Sequence, residues 1–267
     1  MINFNSESNT SLLQQVQNKQ ESILEKLSSG KRVNSAADGA AAQQIIDRLT
    51  SEVEGGRQAV TNAYDGVSLT QVAEGGLSGI NDDVNRIREL SVQAGNGLLS
   101  DADRQAIQSE VSQLQENISQ TIEQTEFAGK SLLSGDGSID FQVGANADQK
   151  IGVATKDVVA GLDNILNVDL STADGVEDAL AAADAAIEFV GSARTDLGAT
   201  QSQFESAARN LTQTNVNLAA ARSRIQDTDY AQATSENAVA SILGQTSLAV
   251  QEIANQQQGQ ALSLLNG

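Results

Sequence analysis

Apolar side chains recur at alternating spacings of four and three residues along three parts of the chain. The longest run continues without a break from Val176 to Ile225, and this spacing is typical of a coiled-coil helix. At the helical rise of 1.5 Å per residue, such a helix is about 75 Å long. Four polar residues occupy positions in this seam, a feature that lowers stability but fixes the packing register: Arg194, Gln201, Asn215 and Arg222.

Two further seams, at residues 56–90 and 107–122, predict a second and a third helix. Between them, Gly95–Gly97 has the composition of a helix end followed by a turn. Ser100 or Asp101 then has the residue type of a helix N-cap. The sequence therefore predicts a helical hairpin against which the longest helix packs.

Glycine is unusually frequent in the second predicted helix. Each glycine costs up to about 1 kcal/mol relative to alanine in a helix interior. Close approach of another helix is one explanation, and marginal stability of an isolated subunit is another. The six residues are Gly55, Gly56, Gly66, Gly75, Gly76 and Gly79.

The apolar period changes to two in the region of about residues 135–170. Ile139, Phe141 and Val143 alternate with polar residues, as do Ile151 and Val153. This pattern predicts short antiparallel strands joined by turns. The stretch DGSID has some of the acidic spacing of a calcium loop but lacks the closing glutamate, so we predict no metal there.

Each end of the chain carries a short amphipathic seam of its own. Both ends are poor in charge, and both have too few apolar residues to fold alone. We expect them to pair with each other or with another copy of the chain, through Leu13, Val16, Gln20, Ile23 and Leu27 at one end and Ile242, Thr246, Ala249, Ile253, Leu262, Leu264 and Leu265 at the other.

The net charge of −19 opposes binding to nucleic acid and to anionic membrane surfaces. The chain has no Cys and no His, which excludes disulfides, thiolate chemistry and imidazole bases. No apolar stretch approaches the roughly 20 residues of a membrane span, and the start of the chain does not resemble a secretory signal peptide. These features alone indicate a cytosolic protein without a cofactor, and they predict no enzymatic activity.

Several short motifs follow one another in a defined order along nearly the whole chain. The N-terminal half contains LSSGKRVNSAADGAAAQQI, NAYDGVSLTQVAEGGLSGINDDVNRIRELSVQAGNG, RQAIQSEVSQLQENI, TEFAGKSLLSG and FQVGANADQKI. The C-terminal half contains RTDLGATQSQFESAARNL, RSRIQDTDYAQATSENAVASIL and a terminal LSLLNG. In order and spacing, these motifs resemble those of bacterial flagellins, the subunits of the flagellar filament.

The resemblance implies a mainly α fold: an elongated bundle of long coiled-coil helices, a small antiparallel β region, and terminal helices that become ordered on polymerisation. Residues 1–40 with 228–267 would form an inner coiled-coil layer, and residues 41–227 a surrounding helical layer. Its helices would span about 41–95, 101–128 and 176–226. About residues 150–175 remain for an outer domain, so the chain resembles a minimal flagellin.

The resemblance also implies a function, namely self-assembly into the extracellular filament that serves motility. The subunit would be exported unfolded by the flagellar type III route. An alternative is a hook–filament junction protein of the same superfamily, which shares the terminal helices. Expected partners are other copies of the chain, an export chaperone, and the filament cap and hook-junction proteins.

The segment after Gly30 corresponds to the spoke that joins the two helical layers in flagellins. We expect Gly30 to stop the first helix in a left-handed conformation, Asp38 to cap the next helix, and the small alanines to allow close approach of neighbouring copies. Lys31 and Arg32 would meet acidic surface on a neighbour. An ordinary linker is the alternative for these residues: Gly30, Lys31, Arg32, Asn34, Ala37 and Asp38.

Two binding sites are implied by resemblance to the family. The export chaperone would hold a helical segment in a groove, through Ile242, Leu243, Val250, Ile253, Leu264 and Leu265. The host Toll-like receptor for flagellin would read monomers, because neighbours bury the same surface in the filament. Its expected contacts are Arg86, Leu90, Gln93 and Glu110, although Leu90 also falls on the packing seam.

Overall fold

The computed structural model describes the backbone of residues 6–265, with side chains outside 6–10, 173–174, 258 and 261–265. The helices and strands follow in chain order: α1 (Ser6–Ser29), α2 (Ala36–Ala94), α3 (Asp101–Gln124), β1 (Glu126–Phe127), β2 (Lys130–Ser131), β3 (Ser134–Gln142), β4 (Lys150–Asp157), α4 (Val158–Gly161), α5 (Asp163–Leu166), α6 (Ala173–Gln226) and α7 (Tyr230–Leu265). The predicted mainly α fold with a small antiparallel β region is confirmed.

The chain forms two compact units. One combines the terminal segments up to residue 53 and from residue 216, and the other comprises residues 54–215. The predicted layers, with limits at residues 40 and 228, concern an assembly and stay a prediction. Among the helices that the structure describes, none has the length and apolarity of a membrane span.

The core of the 54–215 unit lies along the three predicted seams. On α2, the seam residues from Ala63 to Leu90 are buried, including the polar Thr70. The seam of α3 is buried at Ile107, Val111, Ile118 and Ile122. α6 contributes a further line of buried positions, among them Val176, Ala183, Val190, Leu197, Phe204 and Ala208. The seams predicted from the apolar spacing are thus confirmed within this unit.

In the α2–α3 hairpin, the end of α2 and the start of α3 lie where the sequence predicted them. α2 ends at Ala94, directly before the Gly95–Gly97 turn. Ser100 is the N-cap of α3, and its side chain accepts a hydrogen bond from the Asp103 N–H while Asp103 bonds back to the Ser100 backbone. This reciprocal capping box satisfies two N–H groups that the first helical turn leaves without partners.

Two small hairpins follow α3. In the first, β1 pairs with β2 through a tight turn in which Ala128 (φ 51°) and Gly129 (φ 76°) are both left-handed. The expected helix ran to about residue 128, so this hairpin was not predicted. The last helical residue is Gln124, and the Thr125 hydroxyl bonds back to the Thr121 carbonyl at 2.6 Å.

The second hairpin pairs β3 with β4, with Phe141 opposite Ile151 and Ile139 opposite Val153. It is anchored on the helices, since the Phe141 ring packs edge-on against Phe204 with centroids 5.5 Å apart.

The prediction of strands and turns up to about residue 170 was wrong after residue 157. There the chain forms the short helices α4 and α5. Asp157 caps α4 by accepting a hydrogen bond from the Ala160 N–H at 3.0 Å. Val158, Leu162 and Ile165 are all buried, at the four- and three-residue spacing of a helix. This spacing was the missed signal, and it lay within a segment rich in Asp and Asn.

The glycines of α2 divide into two groups. A Cβ on Gly66 would lie 2.5 Å from the Phe204 ring, and one on Gly76 would lie 2.5 Å from the Thr125 hydroxyl. These positions require glycine for close packing. Gly75 and Gly79 are exposed, and a Cβ would meet nothing within 4 Å. Close packing within the subunit therefore explains only the first group.

We predict opposite effects of alanine at two of these glycines. Gly66→Ala overpacks the core against Phe204 and should lower the free energy of unfolding by about 1–3 kcal/mol. The matched control Gly75→Ala enters open space and should raise it by about 0.5–1 kcal/mol. Urea unfolding of the monomer followed by circular dichroism gives both values. A destabilised Gly75→Ala would contradict the assignment.

Candidate functional site

In the unit formed by the chain ends, α1 packs along α7. The predicted face of α1 is the one that contacts α7: Ile23 is buried, and Leu13, Val16 and Leu27 are half-buried. Val16 lies 3.7 Å from where a Cβ on Gly244 would stand. The predicted pairing of the chain ends is therefore present within this one subunit.

The α7 side of this contact is a line of small and polar residues at four- and three-residue spacing. Its members are buried or half-buried, and they are Ala233, Asn237, Ala240, Gly244, Ser247, Gln251 and Ala254. The pattern of large apolar side chains had predicted a different line on α7. The four- and three-residue spacing of alanine, glycine and serine was the signal that could have identified this face.

The seam predicted on α7 does not face α1. Ile242, Thr246, Ala249 and Ile253 are all exposed. They belong to a surface that we call the outer apolar face, defined by five large side chains that are 46–62% exposed: Val239, Ile242, Leu243, Val250 and Ile253. Leu264 and Leu265, which were predicted to act with them, have side chains outside the described residues.

The spoke segment is held to the C-terminal part of its own chain. Gly30 has φ +69°, as predicted, and its carbonyl accepts a hydrogen bond from the Thr228 N–H at 3.0 Å. The Arg32 N–H donates to the Gln226 carbonyl at 2.6 Å, and its guanidinium donates to the Ile225 carbonyl at 2.7 Å. The Arg32 side chain is nevertheless exposed, so its predicted contact with a neighbouring subunit stays a prediction.

Asp38 caps α2 from inside the first turn of the helix. Its carboxylate accepts hydrogen bonds from the N–H groups of Ser35 and Asn34 at 2.9 and 3.0 Å. These backbone bonds, first from Ser35 and then from Asn34, lower the pKa of Asp38. Gly39 then departs from helical geometry, with φ 160° and ψ 93°. Ala37 is exposed, while the exposed Asn34 side chain donates to Glu25 at 2.7 Å.

The residues predicted for receptor recognition form an ion-paired surface around a core residue. Arg86 on α2 donates from Nε and Nη2 to one oxygen of Glu110 on α3, at 2.9 and 2.7 Å. Its Nη1 donates to Glu89 at 3.0 Å. Gln93 is exposed, but Leu90 is only 2% exposed. Leu90 therefore serves packing, and its predicted role as a receptor contact was wrong.

Comparison with known families accounts for most of the chain. Residues 2–138 match the bacterial flagellin N-terminal helical region, and residues 180–265 match the bacterial flagellin C-terminal helical region. The chain belongs to the bacterial flagellin family. It is 39% identical to a flagellin of Bacillus subtilis, with 91% of each chain covered. It is also 37% identical to the flagellar filament 30.7 kDa core protein of Treponema maltophilum, again over 91% of each.

Solved structures agree with this fold. A crystal structure of Bacillus cereus flagellin matches with a TM-score of 0.51 and 23% identity, covering 61% of this chain and 94% of the other. A putative flagellar hook-associated protein from Vibrio parahaemolyticus matches with a TM-score of 0.60 and 14% identity, covering 71% and 100%. This flagellin is a structural subunit of the extracellular flagellar filament, as its flagellin and core-protein relatives indicate.

The lowered pKa of Asp38 makes the start of α2 sensitive to acid. A group whose pKa is lowered by folding stabilises the fold above its ordinary pKa, and this contribution is lost as the pH falls through the folded value. We predict that the Ser35 and Asn34 amide resonances titrate together below the ordinary pKa of Asp. Amide NMR of the labelled monomer measures this, and Asp38→Asn should remove it. A titration at the ordinary value would contradict the capping role.

Proposed function

We propose that this flagellin polymerises through the outer apolar face of α7, which docks against another copy of the chain. The observation that carries this proposal is the orientation of α7. The helix turns its small residues toward α1 and leaves Val239, Ile242, Leu243, Val250 and Ile253 exposed. Since the protein is a filament subunit, the natural occupant of this face is a second subunit.

Energetics favour this interpretation. Full burial of one large aliphatic side chain contributes about 1.5–3 kcal/mol, and contiguous exposed apolar surface usually marks an interaction site. The face also carries little electrostatic repulsion. After Arg224 the chain has no Lys or Arg and four acidic residues: Asp227, Asp229, Glu236 and Glu252. Copies of α7 can therefore approach each other more closely than the acidic middle of the chain allows.

The same face suits the other partners that we propose. An export chaperone that binds amphipathic helices in a groove would cover Ile242, Leu243, Val250 and Ile253 before export by the flagellar type III route. Covering this face would also prevent premature polymerisation. The filament cap and hook-junction proteins would contact subunits at the filament ends. We propose no catalytic role for the chain.

A hook–filament junction protein remains the second candidate. The hook-associated structure from Vibrio parahaemolyticus supports the shared fold but not this function. The named relatives favour the filament, because they include both flagellins and a filament core protein. Abundance separates the two candidates, since a filament subunit dominates sheared filaments and a junction protein is a trace component.

Charge placed on the outer apolar face should block polymerisation. We predict that Ile242→Glu with Ile253→Glu prevents seeded filament growth, because each carboxylate would have to be buried against the next subunit. The matched control, Gln245→Glu with Gln256→Glu, adds the same charge at exposed positions three residues further along α7. It should polymerise like the unmodified chain.

Sedimentation and negative-stain electron microscopy measure the yield of filaments from equal amounts of seed. Circular dichroism checks that both double variants keep the helicity of the monomer. Normal filament growth by the Ile242→Glu, Ile253→Glu variant would place the contact elsewhere.

We also propose that the surface around Arg86 and Glu110 is read by the Toll-like receptor for flagellin. The supporting observation is that the two side chains hold each other in place across α2 and α3 while staying about half exposed. A paired, exposed arginine is a common anchor of protein interfaces. Gln93 extends the exposed surface, and Leu90 supports it from the core.

Removal of the Arg86–Glu110 pair should lower receptor activation by the monomer at least several-fold. The matched control removes another exposed ion pair between helices, Arg88 with Asp184, whose Nε–Oδ1 distance is 2.7 Å. A cell reporter assay with Arg86→Ala, Glu110→Ala and with Arg88→Ala, Asp184→Ala measures the difference. Equal activity of the two folded double variants would rule out this surface.

A further inference from the structure

The turn between α2 and α3 carries an Asn-Gly pair with an unusual combination of exposure and hydrogen bonding. Asn96 and Gly97 are both exposed, and the next residue, Leu98, is 93% exposed. The N–H of Asn96 donates to the Gln93 carbonyl at 3.1 Å, and its carbonyl accepts from the Leu99 N–H at 3.1 Å. The backbone on both sides of the side chain is therefore fixed.

The Asn96 side chain folds back over this turn. Its Oδ1 accepts a hydrogen bond from the Leu98 N–H at 3.1 Å, the geometry of an Asx-turn. The amide of Gly97 lies inside the loop that this bond closes. Among the hydrogen bonds of the described residues, none uses the Gly97 N–H. The Gly97 nitrogen is thus next to Cγ of Asn96, and the Oδ1 atom of the same side chain already accepts a hydrogen bond from Leu98.

We propose that Asn96 is a site of spontaneous deamidation, with water as the co-reactant. The Gly97 nitrogen attacks Cγ of Asn96 and loses its proton, the Cγ–Nδ2 bond breaks, and ammonia leaves. Water then opens the cyclic imide at either carbonyl and yields aspartate or isoaspartate. The reaction replaces one amide by one carboxylate and needs no oxidant, metal or enzyme.

Two features of the turn favour the first step. The Leu98 N–H lies at the oxygen on which negative charge develops, so it stabilises the tetrahedral intermediate as an oxyanion-hole donor does. Gly97 has no Cβ to obstruct ring closure, and a Cβ placed there would meet nothing within 4 Å. Asparagines inside helices lack this freedom, because helical hydrogen bonds hold the following amide.

Deamidation would change the surface of the hairpin. It adds negative charge to a turn followed by Asp101 and Asp103, and isoaspartate lengthens the main chain by one methylene, which breaks the Asx-turn. Because the filament is extracellular, converted subunits would accumulate with time after export. The inference does not depend on the proposed assembly or receptor surfaces.

The test follows the intact monomer during incubation in mildly alkaline buffer, with samples taken over several weeks. Trypsin releases the turn in the peptide Glu89–Arg104. We expect this peptide to gain the mass difference between an amide and a carboxylic acid and to become a substrate for isoaspartyl methyltransferase. The other Asn-Gly pair, Asn266–Gly267, lies in a different peptide and is scored separately.

Gly97→Ala should slow the conversion several-fold without loss of helicity, because the new methyl group enters open space. Asn96→Gln should nearly abolish it, because the longer side chain would have to close a six-membered imide, which forms much more slowly than the five-membered one. The unmodified chain should convert at least as fast when folded as when unfolded in guanidinium chloride. Conversion confined to the unfolded chain, or an unchanged rate in Gly97→Ala, would overturn the proposal.

Discussion

The contact between α1 and the small-residue face of α7 determines what the terminal unit can do. α7 has one line of small and polar residues and another of large aliphatic residues, and one helix partner can cover only one of them. α1 covers the small line, where Val16 packs against Gly244 and Ile23 is buried. The large aliphatic residues consequently stay exposed, and these are the residues that the proposed contact with a second subunit would use. A pairing that used the large residues would give a more stable monomer, and less apolar surface would remain to be buried on polymerisation.

Polar residues in the seams help to fix the register in which the helices pack. In α6, the guanidinium of Arg194 reaches Glu74 at 3.6 Å, and that of Arg222 donates to the Thr50 hydroxyl at 3.4 Å. Such groups cost stability if the helices slip, so they favour one alignment over neighbouring ones. A filament subunit needs this property, because an error of one turn would repeat in every contact.

Periodicity predicted the long helices because it reports burial directly. The seams of α2, α3 and α6, the Gly95–Gly97 turn and the Ser100 cap were all readable from single residues and their spacing. The short elements were missed, although the spacing of Val158, Leu162 and Ile165 was a helical signal. The β1–β2 hairpin depends on a left-handed Ala128, which no propensity favours, and α4 depends on burial of Val158 against the strands. The role of Leu90 could not be decided from the sequence, because the residue lies both on the packing seam and in the segment that resembles the receptor-recognition segment of flagellins.

The face of α7 that packs against α1 was not the one predicted from the sequence. Hydrophobic size was taken as the measure of burial, as it is in a thick core. In a pair of helices, however, close approach requires small residues on at least one side, and the large residues then remain exposed. The exposed line was nevertheless the one named for self-assembly, with Ile242 and Ile253 among its members. An apolar line on a helix therefore predicts a contact. If a neighbouring helix already covers a second line of small residues on the same helix, the apolar line must find a different partner.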